Sequence, residues 1–141
     1  MMLRILSLCL LNCFTCLMLS GCGNTGPELA TVTGNVTLDG KPVPDARVDF
    51  SPQEGRASVG TTNAEGVYEL QYSLEKEGAV IGSHNVKITT ERATTGGEGN
   101  EPLVPGSKEL LPSVYNSKSQ LTAEVTPGEN VIDFSLQSQP D

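Results

Sequence analysis

The sequence predicts an all-β protein, a seven-stranded antiparallel β-sandwich that follows an N-terminal signal peptide. Three observations predict it. After residue 30, apolar and polar residues alternate in seven short segments, which is the period of half-buried strands. Turns containing Gly and Pro separate these segments. No window of about a dozen residues after the signal peptide has the 3.6-residue period of a helix.

The composition restricts the possible functions. The 141 residues include 17 Asp+Glu and 9 Lys+Arg, for a formal net charge of −8. Because proteins bind nucleic-acid phosphates with clustered Lys and Arg, we expect no nucleic-acid partner. The chain has one His and no Trp, so most catalytic constellations lack their parts. We therefore expect no enzyme activity and no cofactor.

Residues 1–21 predict a lipoprotein signal peptide. Arg4 supplies a positive start, and residues 5–19 are apolar almost throughout. This stretch is shorter than the roughly 20 residues that a membrane-spanning helix needs, and it is typical of a secretory signal. Residues 19–22 then read Leu-Ser-Gly-Cys, which resembles the bacterial lipobox. The resemblance implies cleavage between Gly21 and Cys22 and lipidation of Cys22. The lipid would be detected as the incorporation of labelled palmitate.

A lipid on Cys22 would hold the protein on a membrane, because two or more acyl chains give stable anchoring. The next residue is Gly23 and not Asp, which by the same resemblance disfavours retention at the inner membrane of a double-membraned bacterium. We therefore expect the outer membrane, or the periplasmic or cell-surface face. Cys9, Cys13 and Cys16 lie inside the apolar signal segment, so no intrachain disulfide is expected in the mature protein.

Residues 22–30 predict a flexible tether, and residues 31–138 predict the sandwich. Asp39-Gly40 and residues 63–66 are predicted turns, since Gly accepts a positive φ and Asp or Asn side chains accept hydrogen bonds from nearby backbone. The seven predicted strands lie near residues 32–38, 46–50, 57–62, 67–72, 84–88, 121–125 and 132–136.

One segment, residues 91–113, does not follow this pattern and is called the long loop. It is rich in Gly, Glu, Pro and Thr and shows no alternation. Loops of this length in compact domains are usually functional or disordered, so we expect a mobile loop with a disordered centre at residues 94–101. Binding residues favour loops on rigid scaffolds. The long loop together with Tyr115 is therefore the predicted partner-binding surface.

Two motifs resemble a known family. Residues 36–50 read VTLDGKPVPDARVDF and residues 61–70 read TTNAEGVYEL. They resemble carboxypeptidase regulatory-like domains, which belong to the transthyretin-like (prealbumin-like) sandwiches. Asn63 stands where Asp is commoner in that family. Residues 111–122, LPSVYNSKSQLT, are similar to small lipoproteins of this type in Planctomycetes. These motifs consist of turn glycines and core positions, so they indicate a fold and not an activity.

The resemblance also implies a chain without catalysis. Related hydroxyisourate hydrolases use several His residues, and intradiol dioxygenases hold iron with two His and two Tyr. Here the single His84 falls on the inward phase of its strand and predicts a partly buried structural residue. Asp39, Asp45 and Asp49 lie close in sequence and could bridge a Ca²⁺ ion. The turn explains Asp39 and the outward strand face explains Asp49, so no metal site is predicted.

The predicted function is that of a non-catalytic, lipid-anchored cell-envelope protein with a structural or protein-interaction role. Its partners would be the membrane and an unidentified envelope protein or glycan. The alternative is a carbohydrate-binding module, which needs an exposed aromatic platform. Inward phases are predicted for most aromatic residues of the mature chain, which leaves only Tyr115 for such a platform; the inward ones are Phe50, Tyr68, Tyr72 and Phe134.

Overall fold

The computed structural model describes residues 26–97, 99 and 101–140. The signal peptide, the Gly21–Cys22 junction and most of the predicted tether lie outside these residues. The described chain is all-β, and its one helical element is a 3₁₀ turn at Ser113–Tyr115. Within these ranges no helix has the length and apolar character that crossing a membrane requires.

All seven predicted strands are present, and the all-β sandwich is confirmed. One predicted segment, 67–72, is split by a break at Leu70, and three two-residue strands and one three-residue strand add to the predicted set. The strands are β1 (Leu29–Leu38), β2 (Lys41–Pro42), β3 (Arg47–Pro52), β4 (Ser58–Thr61), β5 (Val67–Glu69), β6 (Gln71–Ser73), β7 (Lys76–Glu77), β8 (Ala79–Val80), β9 (Gly82–Thr89), β10 (Leu121–Val125), β11 (Glu129–Val131) and β12 (Phe134–Leu136).

The first sheet is built around the long strand β1. On one edge the carbonyl of Thr33 accepts a hydrogen bond from the N–H of Ile132, and on the other the carbonyl of Val32 accepts one from Leu70. Neighbouring residues of a strand turn their backbone groups to opposite edges. β11 and β12 therefore lie along one edge, parallel to β1, and β8, β5 and β2 lie along the other, antiparallel to it.

The second sheet is antiparallel throughout, in the order β10-β9-β3-β4-β6-β7. The chain changes sheet at Leu70, because β5 pairs with β1 whereas β6 pairs with β4. Gly60 of β4 permits the close approach at this point. A Cβ atom there would lie 2.6 Å from the carbonyl oxygen of Glu69. The single predicted segment 67–72 therefore serves both layers of the sandwich.

The two predicted turns are confirmed. Asp39 and Gly40 both have positive φ, 51° and 79°, as a two-residue hairpin of the primed type requires. The side-chain carbonyl of Asn63 accepts hydrogen bonds from the N–H groups of Glu65 and Val67, at 3.0 and 2.9 Å. Asn63 therefore supports this hairpin in the place where the resembled family usually has Asp.

The core lies between the sheets and is centred on a cluster of aromatic rings. The ring of Phe50 lies 6.1 Å from Phe134, 6.4 Å from Tyr68 and 5.6 Å from His84, between ring centroids. Aliphatic side chains surround the cluster. The buried apolar residues are Ala30, Val32, Val36, Val43, Ala46, Val48, Phe50, Tyr68, Leu70, Ala79, Val86, Ile88, Leu111, Val125, Phe134 and Leu136.

Candidate functional site

The long loop (residues 91–113) folds back on itself beside the sandwich. Arg92 and Ser107 form one antiparallel bridge, with both N–H···O distances 3.0 Å. Thr95 and Val104 form a second, at 3.0 and 2.8 Å. Residues 98 and 100, within the centre that was predicted to be disordered, lie outside the described residues. The predicted mobility of the loop stays a prediction.

The base of the long loop is fixed by a carboxylate. Oε1 of Glu109 accepts hydrogen bonds from the Thr90 hydroxyl at 2.7 Å, from the Thr90 N–H at 3.1 Å, and from the N–H groups of Leu110 and Leu111 at 3.0 Å. The Ser107 hydroxyl donates to the Thr90 carbonyl at 2.6 Å. These contacts join the two ends of the loop to the end of β9.

The surroundings of Glu109 act on its ionisation in two directions. Partial burial favours the protonated form and would raise the pKa of Glu109. The hydrogen bonds from Thr90, Leu111 and Leu110 favour the carboxylate, and together they hold the pKa of Glu109 below its ordinary value. The base of the loop is therefore built around an ionised carboxylate.

A shallow cleft of about 400 Å³ lies between the loop and the adjoining end of the second sheet. Its walls carry charges of both signs. The guanidinium of Arg92 lies 3.8 Å from a carboxylate oxygen of Asp45. Nε of Arg47 donates to the carboxylate of Asp49 at 3.0 and 3.1 Å, and this contact raises the pKa of Arg47. Both arginines thus already face a carboxylate of the same chain.

Exposed apolar side chains are concentrated in and just after the long loop. Four of the seven large apolar side chains that are exposed among the described residues lie between positions 103 and 114. Single exposed apolar residues are ordinary, but a concentration of them often marks a binding surface. With their exposed fractions they are Val67 43%, Leu74 104%, Leu103 62%, Val104 56%, Leu110 73%, Val114 39% and Val131 76%.

Tyr115, the predicted partner-binding residue, lies at the end of the 3₁₀ turn and is half-buried. Its ring packs against the core, and its hydroxyl accepts a 3.0 Å hydrogen bond from the N–H of Gln137. Tyr115 therefore connects the segment after the loop to the C-terminal strand. Tyr72, predicted to point inward, is also half-buried, while Phe50, Tyr68 and Phe134 are buried as predicted.

His84 lies on the inner face of β9 with only 2% of its surface exposed. Its Nε2 atom is 2.7 Å from the carbonyl oxygen of Val80, so Nε2 is the protonated nitrogen that donates. The ring contacts Phe50 in the core. This position agrees with the predicted structural role, except that His84 is buried more completely than expected.

The three aspartates considered for Ca²⁺ have separate surroundings. Asp39 accepts hydrogen bonds from the side chain of Ser138 and, at 3.0 Å, from its N–H, and the two bonds lower the pKa of Asp39. Asp45 faces Arg92, and Asp49 binds Arg47. In the described part of the chain, no three His, Cys, Asp or Glu side chains are grouped as a metal ion requires.

Sequence reasoning missed the residues that hold the loop and the corner before β3. Glu109 binds Thr90 from 19 positions away. Thr62 is buried, donates to the Val43 carbonyl at 2.6 Å and accepts from the Ala46 N–H at 2.8 Å. The sequence does not indicate which residues Glu109 and Thr62 contact, because each contact joins distant positions. It indicates only that Thr62 lies on the inward phase of its predicted strand, where a buried polar side chain needs a hydrogen-bond partner.

Comparisons with known proteins give the following findings. No protein-family model matches the chain, and no curated protein matches it. Among solved structures, a DUF3823 family protein from Parabacteroides merdae is 12% identical with a TM-score of 0.40. The match covers 78% of this chain and 46% of that one. A 9R-lipoxygenase from Cyanothece is 15% identical with a TM-score of 0.43, over 80% of this chain and 17% of that one. The chain thus spans less than half the length of either protein.

Proposed function

We propose that this chain is a non-catalytic, lipid-anchored protein of the cell envelope that binds a protein partner through the long loop. The concentration of exposed apolar side chains at Leu103, Val104, Leu110 and Val114 is the observation that carries the proposal. Exposure of these apolar side chains to water is unfavourable. A partner surface that covers them would therefore bind with the free energy gained from apolar burial. A structural role alone would not require their exposure.

The attachment of the loop supports a binding role. The Glu109 carboxylate and the Ser107 hydroxyl tie its ends to Thr90, which is itself buried at the end of β9. A binding segment held at both ends loses less conformational entropy when it meets its partner. The sandwich then acts as a rigid support for the long loop, and binding residues on loops of a rigid scaffold are a common arrangement in binding proteins.

The absence of catalysis is part of the proposal. This part is supported by the position of His84, the single His of the chain. It is buried and donates a hydrogen bond to the Val80 carbonyl, so it is not presented to a substrate. The two arginines of the cleft already face carboxylates of the same chain, Arg92 that of Asp45 and Arg47 that of Asp49.

The proposed family is that of the carboxypeptidase regulatory-like domains. Its support is the fit of the sandwich to the motifs at residues 36–50 and 61–70, whose turns have the expected backbone geometry. Lipid anchoring rests on the lipobox-like residues 19–22. Metabolic labelling with a palmitate analogue tests the anchor. Label should appear on the wild type and be absent from the Cys22→Ser variant, and equal labelling of both would contradict the proposal.

Site-specific photo-crosslinking tests the binding surface. A photoreactive amino acid is placed at Leu103 or Leu110 in the full-length protein, expressed in its native envelope. Leu74 is the control, because it is a Leu in the turn between β6 and β7 and is more exposed than either loop position. We expect one discrete crosslinked protein from the two loop positions and not from Leu74. The same products from all three positions, or none from the loop, would overturn the proposal.

No observation favours the carbohydrate-binding alternative. Among the described residues every aromatic side chain is buried or half-buried, and Tyr115 uses its hydroxyl on the N–H of Gln137. A glycan array is the direct measurement. Binding to a defined sugar that is lost in Tyr115→Ala would establish the alternative in place of the protein-binding function.

A further inference from the structure

The second sheet ends on one side in a regular edge strand. β10 (Leu121–Val125) pairs with β9 and is the last strand of the described sheet on that side. It has five residues and no Pro, whereas β7 at the other end of this sheet has two residues, one of them Lys. The short strands that flank β1 in the first sheet have at most three. A regular edge of this length is a template for pairing with another strand.

The pairing with β9 determines which backbone groups β10 presents to solvent. The Ser119 hydroxyl donates to the Val86 carbonyl at 2.6 Å, so this carbonyl faces β10 and not β3. Val86 stands opposite Leu121 in the register. The odd-numbered residues of β10 therefore turn their backbone groups toward β9. Thr122 and Glu124 turn their N–H and C=O groups to the open edge.

We infer that this edge binds the same edge of a second copy of the chain, antiparallel, with Ala123 facing Ala123. In this register Thr122 of each copy faces Glu124 of the other, and both residues exchange their backbone hydrogen bonds across the interface. On the inner face, Leu121 comes opposite Val125. Leu121 and Ala123 are only partly buried against the core, so pairing would cover apolar surface that the single chain leaves open.

Charge selects this register. Shifting the strands so that Glu124 faces Glu124 places like charges directly opposite, which destabilises a strand pair. The opposite shift brings Thr122 to face Thr122 and requires Gln120, which lies outside the strand. Centring on Ala123 uses the whole strand and puts no like charges opposite. The pairing is isologous, because each copy contributes the same β10 edge. Once the two β10 edges are paired neither is open to a third copy, so the assembly closes as a dimer and does not extend into a filament.

Disulfide crosslinking tests the register directly. Full-length proteins carrying Thr122→Cys or Glu124→Cys are expressed separately or together, and membranes are oxidised. Directly opposed antiparallel residues bring their Cα atoms to about 5.5 Å, within the range that a disulfide spans. We expect a dimer band only when both variants are present. A dimer from either variant alone, crosslinking to another protein, or a level equal to the wild type would overturn the inference.

Charge substitution gives a second measurement that does not depend on oxidation. Thr122→Glu places a Glu opposite Glu124 at both ends of the pairing. We expect the affinity of the dimer to fall about ten-fold, which is equivalent to about 1.4 kcal/mol. Thr122→Lys places Lys opposite Glu124 and should strengthen the dimer. Gln71→Glu and Gln71→Lys, exposed on β6 at the far side of the sheet, control for the change in net charge.

Sedimentation velocity of the purified full-length protein in detergent measures these affinities, and circular dichroism verifies that each variant folds. Opposite effects of Glu and Lys at position 122, with no such difference at position 71, support the inference. Equal effects at both positions, or weakening by Lys as well as Glu, would overturn it. The long loop takes no part in this contact, so the inference stands or falls independently of partner binding by the loop.

Discussion

The hydroxyl of Tyr68 donates a 2.6 Å hydrogen bond to the backbone carbonyl of Ile132, 64 residues further along the chain. The bond crosses β1 at Gly34, where a Cβ atom would lie 1.8 Å from that carbonyl oxygen and 2.9 Å from the Tyr68 ring. Tyr68 belongs to the hairpin motif, and Ile132 lies between the last two strands. One side chain thus links the beginning, middle and end of the sandwich.

Removing the hydroxyl of Tyr68 should destabilise the fold. Tyr68→Phe keeps the ring in the core but leaves the Ile132 carbonyl without this donor, at an expected cost of about 1 to 3 kcal/mol in the free energy of unfolding. Urea denaturation measures the change. Tyr72→Phe removes a hydroxyl from a half-buried ring and should change stability by less. Equal effects of the two substitutions would contradict the assigned role of the bond.

The same hydroxyl should make the stability of the fold depend on pH in the alkaline range. Burial, and then the negative charge of Asp133, raise the pKa of Tyr68 above its ordinary value. A raised pKa in the folded state contributes stability below the unfolded pKa, near 10, and this contribution is lost as the pH rises above it. The stability advantage of the wild type over Tyr68→Phe should therefore shrink above about pH 10. An advantage that is constant to pH 11 would contradict this.

A side chain at position 34 should not be tolerated. Gly34→Ala forces its methyl group into the carbonyl of Ile132 and the ring of Tyr68. We expect a loss of about 3 kcal/mol or more in the free energy of unfolding, the upper end for overpacking. Gly26→Ala is the control, because its Cβ would meet Lys76 at an ordinary 3.5 Å. Thermal unfolding of both variants is the measurement, and a Gly34→Ala melting temperature equal to that of the control would contradict the close approach.

The buried hydroxyl of Thr62 should be needed at the corner before β3. Thr62→Val preserves the shape but removes the donor to Val43 and the acceptor for Ala46. Leaving buried backbone groups unpaired costs about 1 to 3 kcal/mol each, so we expect a loss of about 2 kcal/mol or more. Thr61→Val, at the adjacent exposed position, is the matched control. Guanidinium denaturation compares them, and an equal midpoint would mean that Thr62 is not required.

Acid should loosen the base of the long loop through Glu109. Its pKa is held below the ordinary value in the folded state, so its contribution is present above the unfolded pKa of about 4.3 and is lost as the pH falls through the folded pKa. Glu109→Gln should lower stability most near neutral pH, and the difference from the wild type should diminish below about pH 4.

Hydrogen exchange at Leu110 and Leu111, whose N–H groups donate to Glu109, reports this loosening locally. Exchange at these two amides should accelerate in Glu109→Gln at neutral pH. Glu91→Gln changes an exposed carboxylate at the start of the same loop and should leave both amides protected. Unchanged protection in Glu109→Gln would show that the carboxylate does not hold the loop.

The sequence by itself determined the features that depend on neighbouring residues. Alternation located every long strand, the Asp39-Gly40 and Asn63 turns followed from local backbone chemistry, and the inward phase of His84 predicted its burial. Each signal acts within a few residues, through the two-residue period of a strand or the positive φ of a turn. This is why the sandwich and its core could be predicted.

Only the tertiary structure decided which distant residues meet. The parallel pairing of β1 with β11 and β12, the bond from Tyr68 to Ile132 and the binding of Thr90 by Glu109 all join positions that carry no mutual sequence signal. The open edge of β10 is likewise visible only once the order of strands in the sheet is known. Such contacts result from packing two sheets face to face, because the shape of the shared core, and not local preference, selects the partners.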